Sequence, residues 1–322
     1  MLPTYCFGRS CAAPGYARRV TSAGHRIIRT LDWYRSRFGA GAEPTIEEHR
    51  AEMERSARLL PVRRGTVVTP VDAGGVPGEW VTARGAGDGT SVLYLHGGGY
   101  TNGSPRTHRS LLSRISAASG ARILAPAYRL APEHPFPAAA DDALAVYAWM
   151  LGSGIHSGSM AIAGDSAGGG LAMATLVAAR DAGLPMPAAA VLLSPWTDLA
   201  CTGESLVTRA ADDPWIIPDQ MGPAVGAYLG DADPRNPLAS PLYADVTGMP
   251  PTLIQVGGAE VLFDDSRRLA ERIRKAGGEV ILDVWADQIH VFQAFGPFVP
   301  KARPAVVAIG EFIRQHAGVR SS

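Results

Sequence analysis

The sequence predicts an α/β fold: a mostly parallel central sheet flanked by helices, with a helical cap over one end. Three observations carry the prediction. Short apolar runs with strand character alternate with helical patterns of about 10–16 residues, the rhythm of βαβ units. Two of those runs end in glycine-rich turns that open towards a helix. Two long stretches, before residue 60 and from 195 to 249, fall outside the rhythm.

Each element follows in order. Residues 65–71 and 79–83 read as an antiparallel strand pair around the turn Asp72-Ala-Gly-Gly. Residues 91–95 form an apolar strand ending in His96-Gly97-Gly98-Gly99, and Leu111, Leu112 and Ile115 give residues 107–118 helical spacing. A strand at 122–125 and a helix at 138–151 come next. The strand 160–163 runs into Gly164-Asp165-Ser166-Ala167-Gly168 and an alanine-rich helix to 182. Strands at 188–193, 252–256 and 279–284, a helix at 264–276 between the last two, and a helix at 302–316 complete the pattern. The charged helical patterns at 16–38 and 45–59 contain no strand. The excursion 195–249 is rich in Asp and Pro, and a connection of that length is usually functional. The expected organisation is therefore 1–60 as N-terminal cap helices, 61–195 with 250–322 as the α/β domain, and 196–249 as a cap insertion.

Composition narrows the function. Thirty basic residues balance thirty acidic ones, which supplies no electrostatic footprint for nucleic acid or an anionic membrane. With 46% hydrophobic and only 19% charged residues, the chain of 322 can bury a large core and is not disordered. No apolar run is long enough for a transmembrane helix. The first ten residues lack a basic segment followed by an apolar one, so no secretory signal and a cytoplasmic location are expected. Cys6, Cys11 and Cys201 are odd in number and lack zinc-site spacing, so neither a disulfide framework nor a metal site is expected.

The first chemical signal is G-x-S-x-G at 164–168. A chain with 37 glycines is expected to show about 0.26 such matches by chance, so context decides. A strand precedes the motif and a helix follows, as a nucleophile elbow requires. There the serine sits on a tight turn above the sheet, and flanking glycines avoid clashes with neighbouring backbone. A serine N-cap at a glycine-rich helix start is the plainer explanation of the same residues.

The second signal is His96-Gly97-Gly98-Gly99, with a chance expectation of about 0.01. Acyl transfer builds negative charge on a carbonyl oxygen, and backbone N–H groups must already aim at it. Gly97 and Gly98 are the expected donors, with Ala167 as the third. His96 is expected to pin the loop rather than act as a base. A phosphate-binding loop is excluded, because the Lys-Ser/Thr ending and the G-x-G-x-x-G spacing are both missing.

The elbow's partners follow in chain order, an acid and then a histidine. His290 lies in a loop after the strand 279–284, whereas His316 sits near the end of the last helix, where a surface role suffices. The acid is contested by Glu260, Asp264 and Asp265. Glu260 lies closest to the end of the strand 252–256, and the two aspartates open a helix, where N-capping explains them. Tyr100, Trp196, Trp215 and Phe292 are candidates to line a substrate pocket, though each is equally explained as core.

These residues carry a resemblance. The chain resembles the hormone-sensitive-lipase-like (family IV) carboxylesterases of the α/β-hydrolase superfamily through several stretches in the right order. They are His96-Gly-Gly-Gly-Tyr100, Tyr128-Arg-Leu-Ala-Pro-Glu-His-Pro-Phe-Pro137, Gly164-Asp-Ser-Ala-Gly-Gly169, Asn236-Pro-Leu-Ala-Ser-Pro-Leu-Tyr243 and His290-Val-Phe. The match runs from about residue 66 to the C-terminus. It implies an α/β-hydrolase fold with a cap, Ser166 as nucleophile, His290 as base, and oxyanion donors at Gly97, Gly98 and Ala167. One departure concerns the acid: many members carry Asp-Pro-Leu where this chain has Glu260-Val261-Leu262. Aligned on the leucine, the acid is Glu260. Arg129 and Glu133 are expected to form an ion pair behind the site.

The resemblance further implies small esters with short acyl chains as substrate, no metal or organic cofactor, and a homodimer through the sheet edge. Lactones and acetylated small molecules need the same machinery and stay open. A non-catalytic ligand-binding receptor of this fold lacks the histidine that His290 supplies here. A peptidase needs larger insertions than this chain contains.

Overall fold

The computed structural model describes residues 45–296 and 298–318. The helical pattern expected at 16–38 lies outside the described residues. Helix α1 (Ile46–Ala57) opens on a capping box in which the Thr45 hydroxyl accepts the Glu48 N–H and Glu48 reaches back to the Thr45 N–H. Strands β1 (Val67–Asp72) and β2 (Pro77–Thr82) form the expected antiparallel pair. The parallel part begins with β3 (Gly87–Leu95), α2 (Pro105–Ser119), β4 (Ala121–Pro126) and α3 (Ala138–Gly152). It continues through β5 (Met160–Asp165), α4 (Ala167–Asp181) and β6 (Ala189–Leu193). After the long connection come β7 (Thr252–Gly257), α7 (Phe263–Lys275), β8 (Val280–Trp285) and α8 (Ala302–Ala317). Within that connection lie two further helices, α5 (Ser205–Thr208) and α6 (Met221–Leu229).

Among the described residues, all eight strands join one sheet in the order β1-β2-β4-β3-β5-β6-β7-β8. Strand β2 is antiparallel to both of its neighbours, and every pairing from β4 to β8 is parallel. Such strands must be covered on both faces, which explains why β5, β6 and β7 are wholly buried and read as continuous apolar runs. On one face α2 and α8 pack Leu111, Leu112, Ile115, Ile309 and Ile313 against Val92, Ile123 and Val191. On the other, α3, α4 and α7 join the connection 196–249 around Leu93, Ile162 and Leu192.

The order of strands has one consequence for chemistry. Because β3, β5, β6, β7 and β8 run in the same direction, the turns that follow them gather along one edge of the sheet, where ligands bind in open α/β sheets. Those turns carry His96–Gly99, Ser166, Ser194, Glu260 and His290. Among the described residues, no helix is long and apolar enough to cross a membrane.

Candidate active site

The elbow is as tight as its glycines suggest. Ser166 adopts φ 53° and ψ −124°, a conformation that a residue with a side chain rarely takes. The turn is pressed against the end of β3: a Cβ on Gly168 would lie 2.1 Å from the Leu95 carbonyl oxygen, and one on Gly164 2.2 Å from that of Gly168. Only glycine fits at either position. Ser166 is half-buried, and the N-terminus of α4 begins at the next residue.

The loop His96–Gly99 differs from the expectation at one amide. The Gly97 N–H points inward and donates to Asp165 Oδ1 at 3.1 Å, so it is already engaged. The Gly98 and Gly99 amides donate to no other group among the described residues, which makes them the loop's free donors. Gly97 is turned inward because the loop leaves β3 there, directly against the buried Asp165 carboxylate. His96 is buried, stacks on Tyr128 with ring centroids 4.3 Å apart, and places Nδ1 2.9 Å from the Gly97 carbonyl oxygen. Burial and the nearby His108 push its pKa down to about 3, so it is neutral. The Tyr128 hydroxyl donates to the His96 carbonyl at 2.6 Å.

Of the three contested carboxylates, Glu260 is the one that meets His290: Oε1 lies 3.2 Å from Nδ1. Its other oxygen, Oε2, accepts the Ser194 hydroxyl at 2.8 Å and the Gly257 N–H at 2.8 Å. Both side chains are buried. Burial lowers the affinity of His290 for a proton, but the Glu260 hydrogen bond and charge, with Asp213 and Asp165 nearby, outweigh it and raise the pKa above the ordinary 6.5. A carboxylate at Nδ1 holds the proton there and leaves Nε2 free to accept one. Asp264 instead accepts the Ser205 N–H at 2.9 Å and the Arg267 guanidinium at 3.0 Å. Asp265 Oδ1 accepts the Thr197 and Asp198 amides at 2.8 and 2.9 Å. The aspartates thus tie α7 to the connection.

One segment joins Ser166 to Glu260 and His290. The Ser166 N–H donates to the Leu193 carbonyl at 2.8 Å, and the Trp196 N–H donates to the Ser166 carbonyl at 2.8 Å. Between them Ser194, fully buried at φ 46°, accepts the Val291 N–H on its hydroxyl oxygen at 3.2 Å while donating to Glu260. Sequence reasoning missed Ser194, although its place at the end of β6 was a readable signal. It also missed Asp213, whose Oδ2 accepts the Val261 N–H at 3.0 Å and so clasps the connection onto the turn that carries Glu260.

The proposed pocket residues scatter. Phe292 is fully buried in a satellite core with Ile289, Val299, Ala302 and Ala305, because it turns beneath the His290 loop towards α8, so it lines no open surface. Tyr100 is sealed by Tyr228, stacked at 3.7 Å between centroids. Trp196 is buried beside the loop His96–Gly99, its ring 4.0 Å from where a Cβ on Gly99 would stand. Trp215 is 46% exposed and packs edge-on against Phe295. The expected Arg129–Glu133 pair does not form. Arg129 forks onto Asp142, one turn into α3, and Glu133 pairs with Arg50 of α1, whose guanidinium also donates to the Thr101 and Ala131 carbonyls. His316 lies against Phe312 on α8. Among the described residues, no group of three or more His, Cys, Asp or Glu side chains is placed to hold a metal.

Known proteins resemble this chain in sequence and in fold. Residues 92–294 match the family described as alpha/beta hydrolase fold. An acetyl-hydrolase of Streptomyces hygroscopicus is 46% identical over 296 residues, covering 91% of this chain and 96% of the relative. An esterase of Acinetobacter venetianus is 34% identical over 264 residues, 82% of this chain and 87% of its own. Among solved structures, an esterase from the bacterial hormone-sensitive lipase family superposes with TM-score 0.89 at 45% identity, covering 94% of this chain and all of that one. The esterase EstE5, soaked with p-nitrophenyl butyrate, gives 0.88 at 44% identity over 92% of this chain and 99% of that one. By the matched family, by fold and by these similarities, the chain belongs to the hormone-sensitive-lipase-like branch of the α/β-hydrolases, and it is a carboxylic ester hydrolase.

Proposed function

We propose that the protein hydrolyses small esters with short acyl chains through a Ser166–His290–Glu260 triad and an acyl-enzyme. The observation that carries this reading is the 3.2 Å contact of Glu260 Oε1 with His290 Nδ1, at the same sheet edge as the strained Ser166 turn. Ser166 Oγ attacks the ester carbonyl while His290 Nε2 takes its proton. Glu260 holds the imidazole tautomer and stabilises the imidazolium. The tetrahedral oxyanion is met by the Gly98, Gly99 and Ala167 amides, each worth about 3 kcal/mol of barrier. His290 returns the proton to the leaving alcohol, and water then repeats the attack on the acyl-enzyme.

Trp196 beside Gly99, with Tyr100 and Tyr228 stacked behind, leaves the oxyanion loop bordered by rigid aromatic groups. That supports a short acyl group over a long one. A second reading is favoured by the similarity to an acetyl-hydrolase: removal of acetyl groups from a small molecule by the same machinery.

The test is hydrolysis of p-nitrophenyl esters from acetate to palmitate, with O-acetylated and N-acetylated small molecules beside them, by wild type and Ser166→Ala. Activity that peaks at acetate to butyrate and vanishes in the variant is expected. Equal activity in Ser166→Ala, or a maximum at palmitate, overturns the reading.

A further inference from the structure

One residue of the nucleophile elbow has no part in the mechanism above, yet it joins the two glycine motifs of the site. Asp165 precedes Ser166 directly, and its side chain is buried beneath the oxyanion loop. Its Oδ1 accepts the Gly97 N–H at 3.1 Å and the Tyr94 hydroxyl at 2.9 Å, and lies 3.4 Å from His108 Nε2. The other ring nitrogen of His108 lies 3.1 Å from the Ser104 carbonyl oxygen and 2.8 Å from the Thr107 hydroxyl. Both nitrogens of His108 therefore face acceptors, which favours the imidazolium and gives the carboxylate a buried counter-charge.

We propose that Asp165 is a positioning residue for catalysis: by drawing the Gly97 amide inward, its carboxylate sets where the next two amides stand relative to the Ser166 hydroxyl. The inference rests on the serine mechanism proposed above. Its physical basis is shared backbone. Gly97 is covalently one residue from the Gly98 amide, and Asp165 is one residue from Ser166 and two from the Ala167 amide. A single carboxylate thus links nucleophile and oxyanion donors across 68 residues of sequence. The fit is close, since a Cβ on Gly97 would lie 2.3 Å from Asp165 Oδ2. An oxyanion donor works only where the charge develops, so a small rotation of this loop acts on the transition state and spares ground-state binding.

The experiment compares Asp165→Leu, which keeps the branched outline and removes the acceptor, with Asp165→Asn, which keeps both the volume and an acceptor at the same place. The double variant Asp165→Leu/His108→Leu leaves neither member of the pair buried alone, and it decides the matter if the single variant does not fold. Steady-state kinetics on p-nitrophenyl acetate are measured with inhibition by a short trifluoromethyl ketone, which places an oxyanion in the hole. Circular dichroism reports folding. The expected result is a fall in kcat of about 10²-fold with KM within about threefold, and a parallel loss of inhibitor affinity. Asp165→Asn should recover most of both. A folded Asp165→Leu or double variant with kcat and inhibitor affinity within about threefold of wild type overturns the proposal. Ser166→Ala in the same series separates the two failures. If it stays active the serine mechanism is wrong, and if it is dead while Asp165→Leu is unimpaired only the role of Asp165 is.

Discussion

The Ser194 hydroxyl donates to Glu260 Oε2 at 2.8 Å and receives the Val291 N–H at 3.2 Å, so one oxygen ties Glu260 to the loop that carries His290. Neither partner is near Ser194 in sequence. The contact exists because β6 lies beside β7, and both end at the same edge of the sheet.

Removing that oxygen should separate stability from turnover. Ser194→Ala leaves the Val291 N–H without its acceptor and Glu260 with one donor fewer, at a cost of about 1–3 kcal/mol. Turnover should fall by about tenfold or more, because the imidazole loses part of its alignment. Ser194→Gly relieves the backbone at φ 46° and should regain stability without regaining turnover. Thermal unfolding and kcat measured on both variants check this.

The acid should be identified by exchange of charge without change of shape. Glu260→Gln is expected to lower kcat by about 10³–10⁴-fold, the loss of a tautomer-holding carboxylate. The pH dependence carries a sign. Glu260 helps to raise the His290 pKa, so in wild type kcat/KM rises with pH through a value above 6.5, as the imidazole loses its proton. In Glu260→Gln the residual acid limb should move to lower pH. Asp264→Asn should keep both turnover and limb, since Asp264 binds Ser205 and Arg267 instead.

Asp265 makes a prediction about stability. Burial pushes its carboxyl up to about 7, with the charge of Asp198 adding to the effect against the opposing Thr197 and Asp198 amides. The folded state therefore binds a proton that the unfolded chain, near 3.8, releases first. Stability from this group is full below about pH 4 and is lost as pH rises towards 7. Asp265→Asn mimics the protonated acid and keeps an acceptor for both amides. Its Tm should match wild type near pH 4 and exceed it by a margin that grows to pH 7 and then stays level. A margin that shrinks over that range in calorimetric scans contradicts the assignment.

Two glycines of one loop should respond differently to a methyl group. Gly97→Ala drives a Cβ to 2.9 Å from the Asp165 carbonyl as well as into its carboxylate, and the fold should be lost or Tm sharply lowered. Gly99→Ala meets nothing closer than 3.7 Å, and its φ of 62° should cost only about 1–2 kcal/mol. It should fold, while hydrolysis of longer acyl esters falls more than that of acetate, because the methyl stands between the loop and Trp196. Tm and a chain-length series on the two variants read this out.

The order and type of the elements were legible in the sequence because each depends on near neighbours. Leu111, Leu112 and Ile115 mark one face of α2, and glycines at 164 and 168 mark a turn pressed on backbone. Ser166, Glu260 and His290 could be named from their places after strands. What the sequence could not show was which groups those strands bring together. Gly97 and Gly98 are alike as residues, and only the carboxylate of Asp165, 68 positions away, turns one amide inward and leaves the next free. Arg129 sits beside Glu133 in the chain but forks onto Asp142, because the turn into α3 presents that carboxylate, while Glu133 faces Arg50 on α1. Phe292 reads as a pocket residue beside His290 until the loop turns it under α8. Local sequence determines φ, ψ and periodicity. Hydrogen bonds to distant partners are decided by strand order and packing, and in this protein those bonds hold Glu260, the His290 loop and the loop His96–Gly99.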